Sequence, residues 1–218
     1  MNSDFNNNPS ASFGWFSGPL GLVIVPDQAT IERAYTIAEE IMPKGAHYVL
    51  GPGSLPHLTL YHGNLADVPG PVASETLKGL RSNLVGQRFT LKNIVAFGGN
   101  FIFWNVDCSS CNCDVLQVSH NMALNLAQYL DRSTVARAVS DERLSLKEAE
   151  LENVRRFGHP LVRSLYMPHI TIGFDRGLSE QVAPNMKFKW SMEVASVELV
   201  KVGHPGRVEE IIDATQTV

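Results

Sequence analysis

Apolar positions along the chain follow two rhythms, one of period two and one near 3.6. Leu20-Gly21-Leu22-Val23-Ile24-Val25, closed by Pro26-Asp27, predicts a buried strand. Ile31, Ala34, Tyr35, Ala38 and Ile41 then share one side of a helix over 29–42, with Asp27 or Thr30 to cap it and Pro43 beyond its end. A short strand over 47–50, a Gly-Pro-Gly-Ser loop and a period-two segment over 57–61 follow. The next elements are a helix over 72–85, stopped by Gly86, and strands over 89–97 and 101–106 joined by a Gly98-Gly99-Asn100 turn. Helical spacing returns over 115–130 and in a charged stretch over 140–157, capped by Ser140 or Asp141 and stopped at Gly158-His159-Pro160. Strands over 169–174, 187–202 and 208–212 complete the pattern.

The order helix, strand, closing strands thus occurs twice. It predicts an α+β protein of two lobes side by side. Residues 1–19 read as a flexible N-terminal tail, rich in Asn and Ser, and 20–218 as a single two-lobed domain. The 218 residues suffice for one good core or two small lobes sharing one.

The repeat carries chemistry. Pro56-His57-Leu58-Thr59-Leu60 and Pro168-His169-Ile170-Thr171-Ile172 stand 112 residues apart, about half the chain, at corresponding places in the two halves. Alternate side chains of a strand share a face, so His57 and Thr59 point one way and Leu58 and Leu60 the other. His169 and Thr171 do the same. If the lobes face each other, two imidazoles and two hydroxyls converge. One neutral histidine can take a proton from an attacking hydroxyl or water, while the other, protonated, gives one to a leaving oxygen. The threonine hydroxyls can donate to non-bridging phosphate oxygens, where charge builds in the transition state. No metal or other cofactor is needed by such a scheme, and no Asp or Glu stands close to either motif to hold a hard cation.

These two motifs resemble the twin signatures of the two-histidine (2H) phosphoesterase superfamily, whose members include RNA 2′-5′ ligase-like proteins and cyclic phosphodiesterases. The resemblance covers the order of elements from Leu20 to Ile212, but its specificity rests on the motifs. It implies a bilobal α+β fold with pseudo-two-fold symmetry, two antiparallel sheets lining a central cleft and helices on the outside. It also implies a catalytic role for His57 and His169 and phosphate binding by Thr59 and Thr171. The implied reaction is metal-independent hydrolysis of a cyclic phosphate or a 2′-5′ or 3′-5′ phosphodiester in a nucleotide or short oligonucleotide, cyclic ones included. The alternatives are RNA end processing or 2′-5′ ligation, and a non-catalytic nucleotide-binding module. The segment 108–157, with its charged helix, departs from a minimal member and reads as a lid or a lobe insertion.

Charge narrows the partner. The net charge of −4 and the absence of a basic tract favour a small nucleotide or oligonucleotide over long double-stranded nucleic acid. No apolar run approaches a membrane span, so no membrane partner is expected. The chain is expected to act as a monomer. Cys108, Cys111 and Cys113, an odd and clustered set, read as three free thiols rather than a disulfide framework or half of a zinc site. A reducing cytoplasm is therefore the expected compartment.

Around the motifs, Tyr61 continues the His57 face and is a candidate to stack on a base or bond a phosphate, as is Phe174 at the end of the second motif. Gly173 would leave room on the catalytic face. His62 breaks the alternation and reads as a strand-end residue facing water. Phe101-Ile102-Phe103-Trp104 reads mostly as core with one aromatic free for the cleft. Lys201 and Arg207 are candidate phosphate partners whose default is a solvated charge.

Overall fold

A computed structural model describes residues 15–98, 100–109, 113–140, 146–175, 186–204 and 206–212, apart from the side chains of 186–188. The chain runs β1 (Trp15–Pro26), α1 (Gln28–Ile41), β2 (Tyr48–Val49), β3 (Leu58–Pro69), α2 (Gly70–Leu84), β4 (Arg88–Phe97) and β5 (Phe101–Val106). It continues through α3 (Cys113–Ala123), a 3-10 turn (Leu124–Tyr129), α4 (Arg132–Ser140), α5 (Glu148–Phe157), β6 (His169–Phe174), β7 (Met186–Gly203) and β8 (Arg207–Ile212). Every strand pairing is antiparallel.

The α+β class and the two halves predicted from the repeat are present. One half orders its strands β3-β1-β7-β8 and the other β6-β5-β4-β7. The two expected sheets are joined as halves of one eight-stranded sheet. β7 causes the fusion: it pairs β4 over its first part and β1 and β8 over its second. At the other seam, β3 meets β6 through the single pair Leu58–Ile170. That pair joins the residue after each motif histidine to its counterpart, so the local two-fold runs through the motifs.

Local chemistry explains most boundaries. Asp27 caps α1, its carboxylate accepting the Thr30 N–H at 2.9 Å, and it also accepts the Glu193 N–H of β7 at 2.7 Å. Those hydrogen bonds outweigh its partial burial and hold its carboxyl below the usual range. β1 begins at Trp15, paired with Pro69, so residues 15–19 belong to the sheet rather than to the expected tail. Residues 1–14 lie outside the described residues. The helix expected over 140–157 begins only at Glu148, where Glu150 accepts the Lys147 N–H at 2.7 Å, and it ends on Gly158 at φ 71°. A separate α4 precedes it, started by Asp131, which accepts the Ser133 N–H at 2.9 Å. The expected helix over 115–130 becomes α3 followed by a 3-10 turn.

The main core lies between the helices and the outer face of the sheet, with Leu20, Leu22, Ile24, Leu58, Leu60, Ile170 and Ile172 from the strands and Ile37, Leu77, Leu80 and Leu116 from the helices. On the inner face Val23, Val200, Val202 and Val208 form a smaller cluster. No helix among the described residues is long and apolar enough to cross a membrane. Cys108 and Cys113 are joined as a disulfide, their Cα atoms 5.2 Å apart across the turn from β5 into α3, which corrects the reading of three free thiols. Sequence spacing did not reveal that this turn folds back on itself. The pairing also removes the thiol argument for a reducing compartment. Cys111 lies outside the described residues.

Candidate active site

The two motif histidines are held alike through Nδ1. His57 Nδ1 lies 2.8 Å from the Leu55 carbonyl and His169 Nδ1 lies 2.7 Å from the Met167 carbonyl, two residues upstream in each case. A carbonyl only accepts, so each Nδ1 carries the proton and each Nε2 is left to exchange one. Pro56 and Pro168 keep the preceding residue extended, which brings that carbonyl under the ring.

Thr59, Thr171 and His169 line a cavity of about 560 Å³, within the range of small-molecule sites. Phe103 of β5 stacks on His169, ring centroids 3.6 Å apart and 22° from parallel. Phe97 stacks on Phe103 in turn, and Phe101 completes an aromatic wall. Ile102 and Trp104 point the other way into the core, so the 101–104 segment is shared between core and cavity. His57 is more covered, only 8% exposed, and the turn carrying Gly203 and Gly206 lies over it. The two rings interact: the proximity of His57 lowers the pKa of His169.

A β-bulge follows each motif at the same step. Thr59 pairs Val23 and Tyr61 pairs Leu22, leaving Leu60 as the extra residue on β3. Thr171 pairs Phe103 and Gly173 pairs Ile102, leaving Ile172 as the extra residue on β6. A bulge resets the alternation. Tyr61 therefore turns into the core, 2% exposed, where its hydroxyl donates to the Phe157 carbonyl at 2.9 Å. His62 takes the cavity-facing place instead of facing water. Gly173 likewise leaves the cavity face; a Cβ there would collide with Met42, which follows α1, so its missing side chain makes room for the core and not for a ligand. Phe174, at the place equivalent to His62, packs on Phe101 at 4.7 Å and on the ring of His204 at 5.7 Å.

Several histidines gather here that the sequence did not assign to a site. His62 and His159 face each other with ring centroids 4.4 Å apart. His204 of the β7–β8 turn also lines the cavity. His120 lies beneath it, fully buried, donating from Nδ1 to the Leu60 carbonyl at 2.6 Å and accepting the Arg163 N–H on Nε2 at 2.8 Å. It stacks on Tyr166, whose hydroxyl donates to the Thr59 carbonyl at 3.2 Å, so this pair braces the first motif and its bulge from behind.

Among the described residues no Lys, Arg, Asp or Glu lines the cavity. Burial pushes the histidine pKa values down: His169 and His62 from 6.5 to about 4, helped in both cases by the proximity of His57 and, for His169, by that of His62 as well. His159 is pushed well below its usual value by burial and then by His62, His169 and His120. Burial also lowers His57, but the backbones of Leu55 and Gly206 pull the other way by favouring a protonated ring. Lys201 pairs with Glu210 at 2.5 Å, and neither it nor Arg207 reaches the cavity. Among the described residues no three His, Cys, Asp or Glu side chains are placed to hold a metal ion.

No family model and no curated protein matches the chain. Among solved structures it is similar to the apo form of E. coli LigT, at 17% identity and a TM-score of 0.45, over 91% of this chain and 96% of that one.

Proposed function

We propose that the chain is a two-histidine phosphodiesterase that hydrolyses a cyclic phosphate or a 2′-5′ or 3′-5′ phosphodiester in a nucleotide or short oligonucleotide. The observation that supports this most is the Leu58–Ile170 pair, which sets two His-x-Thr strands about one local two-fold with both Nδ1 atoms anchored alike. The reacting phosphate sits between the two strands. The Thr59 and Thr171 hydroxyls donate to its non-bridging oxygens. One Nε2 removes a proton from water as the new phosphorus–oxygen bond forms. The other Nε2–H gives its proton to the departing ribose oxygen as the old bond breaks, leaving a phosphomonoester and a free hydroxyl.

The surroundings favour one assignment of roles. The ring of His57 has two backbone partners that favour a proton, and His169 has one. His57 is the acid in this reading and His169 the base. A cavity of this size, with no Lys or Arg among the described residues that line it, fits a small ligand better than a long RNA.

The test is a panel of 2′,3′-cyclic nucleotides, 2′-5′ oligoadenylate, ADP-ribose cyclic phosphate, cyclic di- and trinucleotides and RNA ends, followed by mass spectrometry with and without EDTA. Turnover that persists in EDTA supports the reading. Turnover lost on chelation and restored by zinc or manganese overturns the metal-independent mechanism. Joining of RNA ends without hydrolysis selects the ligase-like alternative, and tight binding without turnover selects the binding module.

A further inference from the structure

Two histidines of the cavity have no part in the proton transfers assigned to His57 and His169. His62 comes from β3, turned inward by the bulge at Leu60. His159 comes from the turn after α5, where Gly158 adopts φ 71° and reverses the chain. Their rings meet at 4.4 Å, tilted by 58°.

His120 shows what a purely structural histidine looks like in this protein. It is fully buried and both its ring nitrogens are satisfied by backbone. The cavity pair differs. His159 Nδ1 accepts the Leu161 N–H at 3.2 Å, which puts the proton of the neutral ring on Nε2 and leaves it available to donate. His62 makes no side-chain hydrogen bond among the described residues. Two imidazoles are too few ligands for a resident zinc, and no third His, Cys, Asp or Glu is placed to complete one among the described residues.

An anion suits this pair. Each ring offers an N–H donor, and His62, whose ring makes no side-chain hydrogen bond among the described residues, can take up a proton when negative charge arrives, which would make its hydrogen bond charge-assisted. The cavity needs such a source, because no Lys or Arg among the described residues lines it. The titratable groups around the pair are His57 and His169 from the motifs, His120 from α3, His204 from the β7–β8 turn, and the hydroxyls of Tyr61 and Tyr166. Among the described residues no carboxylate in the lining competes for the protons.

We infer that His62 and His159 form a second phosphate subsite, so that the preferred substrate carries another phosphate beside the one that reacts: a 5′-phosphorylated or oligomeric nucleotide rather than a bare cyclic mononucleotide. The inference rests on the phosphodiesterase reading for its kinetic test but not for its binding test.

In the kinetic test, adenosine 2′,3′-cyclic phosphate is compared with the same compound bearing a 5′-phosphate and with a dinucleotide ending in the same cyclic phosphate. At least one of the two larger substrates is expected to have kcat/KM about tenfold higher, the gain of one charge-assisted contact. His62→Gln and His159→Gln should bring the values together. Equal kcat/KM on all three in the unmodified protein overturns the subsite. So does an equal fall on all three in both variants, which would place the pair on the reacting phosphate instead. In the binding test, imidazole ¹⁵N signals of the unmodified protein are followed on adding adenosine 3′,5′-bisphosphate. His62 and His159 should both shift, with at least one titrating at higher pH. If they do not move while His169 does, the subsite is absent whatever the catalytic result. If no substrate turns over but both signals move, the phosphodiesterase reading fails and the anion subsite stands.

Discussion

The two motif strands are near copies in machinery and unlike in surroundings. β3 and β6 each begin with a histidine tied by Nδ1 to a carbonyl two residues back, and each bulges three residues after that histidine. Beyond the bulge they diverge. β3 presents His62 to the cavity, facing His159, while the equivalent Phe174 of β6 joins the aromatic group of Phe101 and Phe103. His57 is covered by the β7–β8 turn, and His169 lies half-buried against Phe103 in the cavity wall. A duplicated element can keep the geometry that proton transfer needs on both sides. The flanking residues are then free to make one side a polar, anion-friendly wall and the other a surface for a flat ring.

The comparison breaks or sharpens first at the two histidines. His57→Ala and His169→Ala should each lower kcat/KM by roughly 100- to 10,000-fold with the fold intact by circular dichroism. They should part on a substrate with a nitrophenolate leaving group, which departs without a proton. His57→Ala should recover most of its loss there and His169→Ala little. The reverse pattern exchanges acid and base.

A pH profile is the next test. The proposed mechanism needs one ring protonated and one neutral in the free protein, and burial lowers both pKa values, His169 to about 4 from 6.5. The optimum of kcat/KM should therefore lie below pH 6.5, falling about tenfold per pH unit on the alkaline side. A bound phosphate raises both values, so the kcat optimum should lie at higher pH. A kcat/KM optimum well above neutrality would show that the rings are not desolvated.

Thr59→Val and Thr171→Val remove one donor each and should lower kcat by about tenfold or more, with equal losses if the two-fold holds in the transition state. Stability should follow the same histidines. His57, His62, His120, His159 and His169 all have lowered folded-state values, so the unfolded chain binds more protons below about pH 6.5. Tm should fall as the pH drops from 6.5 through about 4, and a flat profile there would contradict their burial. The smallest effect is expected at Tyr61→Phe, which loses one buried hydrogen bond of about 1 kcal/mol. Its Tm should drop by a few degrees with KM unchanged, and a raised KM would return Tyr61 to the substrate.

The sequence by itself determined the elements and the motif faces. Period-two patterning located β5 and β6 to the residue, and two copies of Pro-His-apolar-Thr-apolar marked where the halves meet. These are local properties, since side-chain alternation and proline geometry act within a few residues. Only the tertiary structure decided the rest. The bulges at Leu60 and Ile172 exist because β1 and β5 pair one residue short on either side of them, and pairing register is not written in one strand alone. That single step moved Tyr61 and Gly173 to the core and brought His62 inward. His159 reached the cavity through the turn after α5, and Cys108 met Cys113 where the chain folds back after β5. Each depends on where distant backbone lies, which residue spacing alone does not fix.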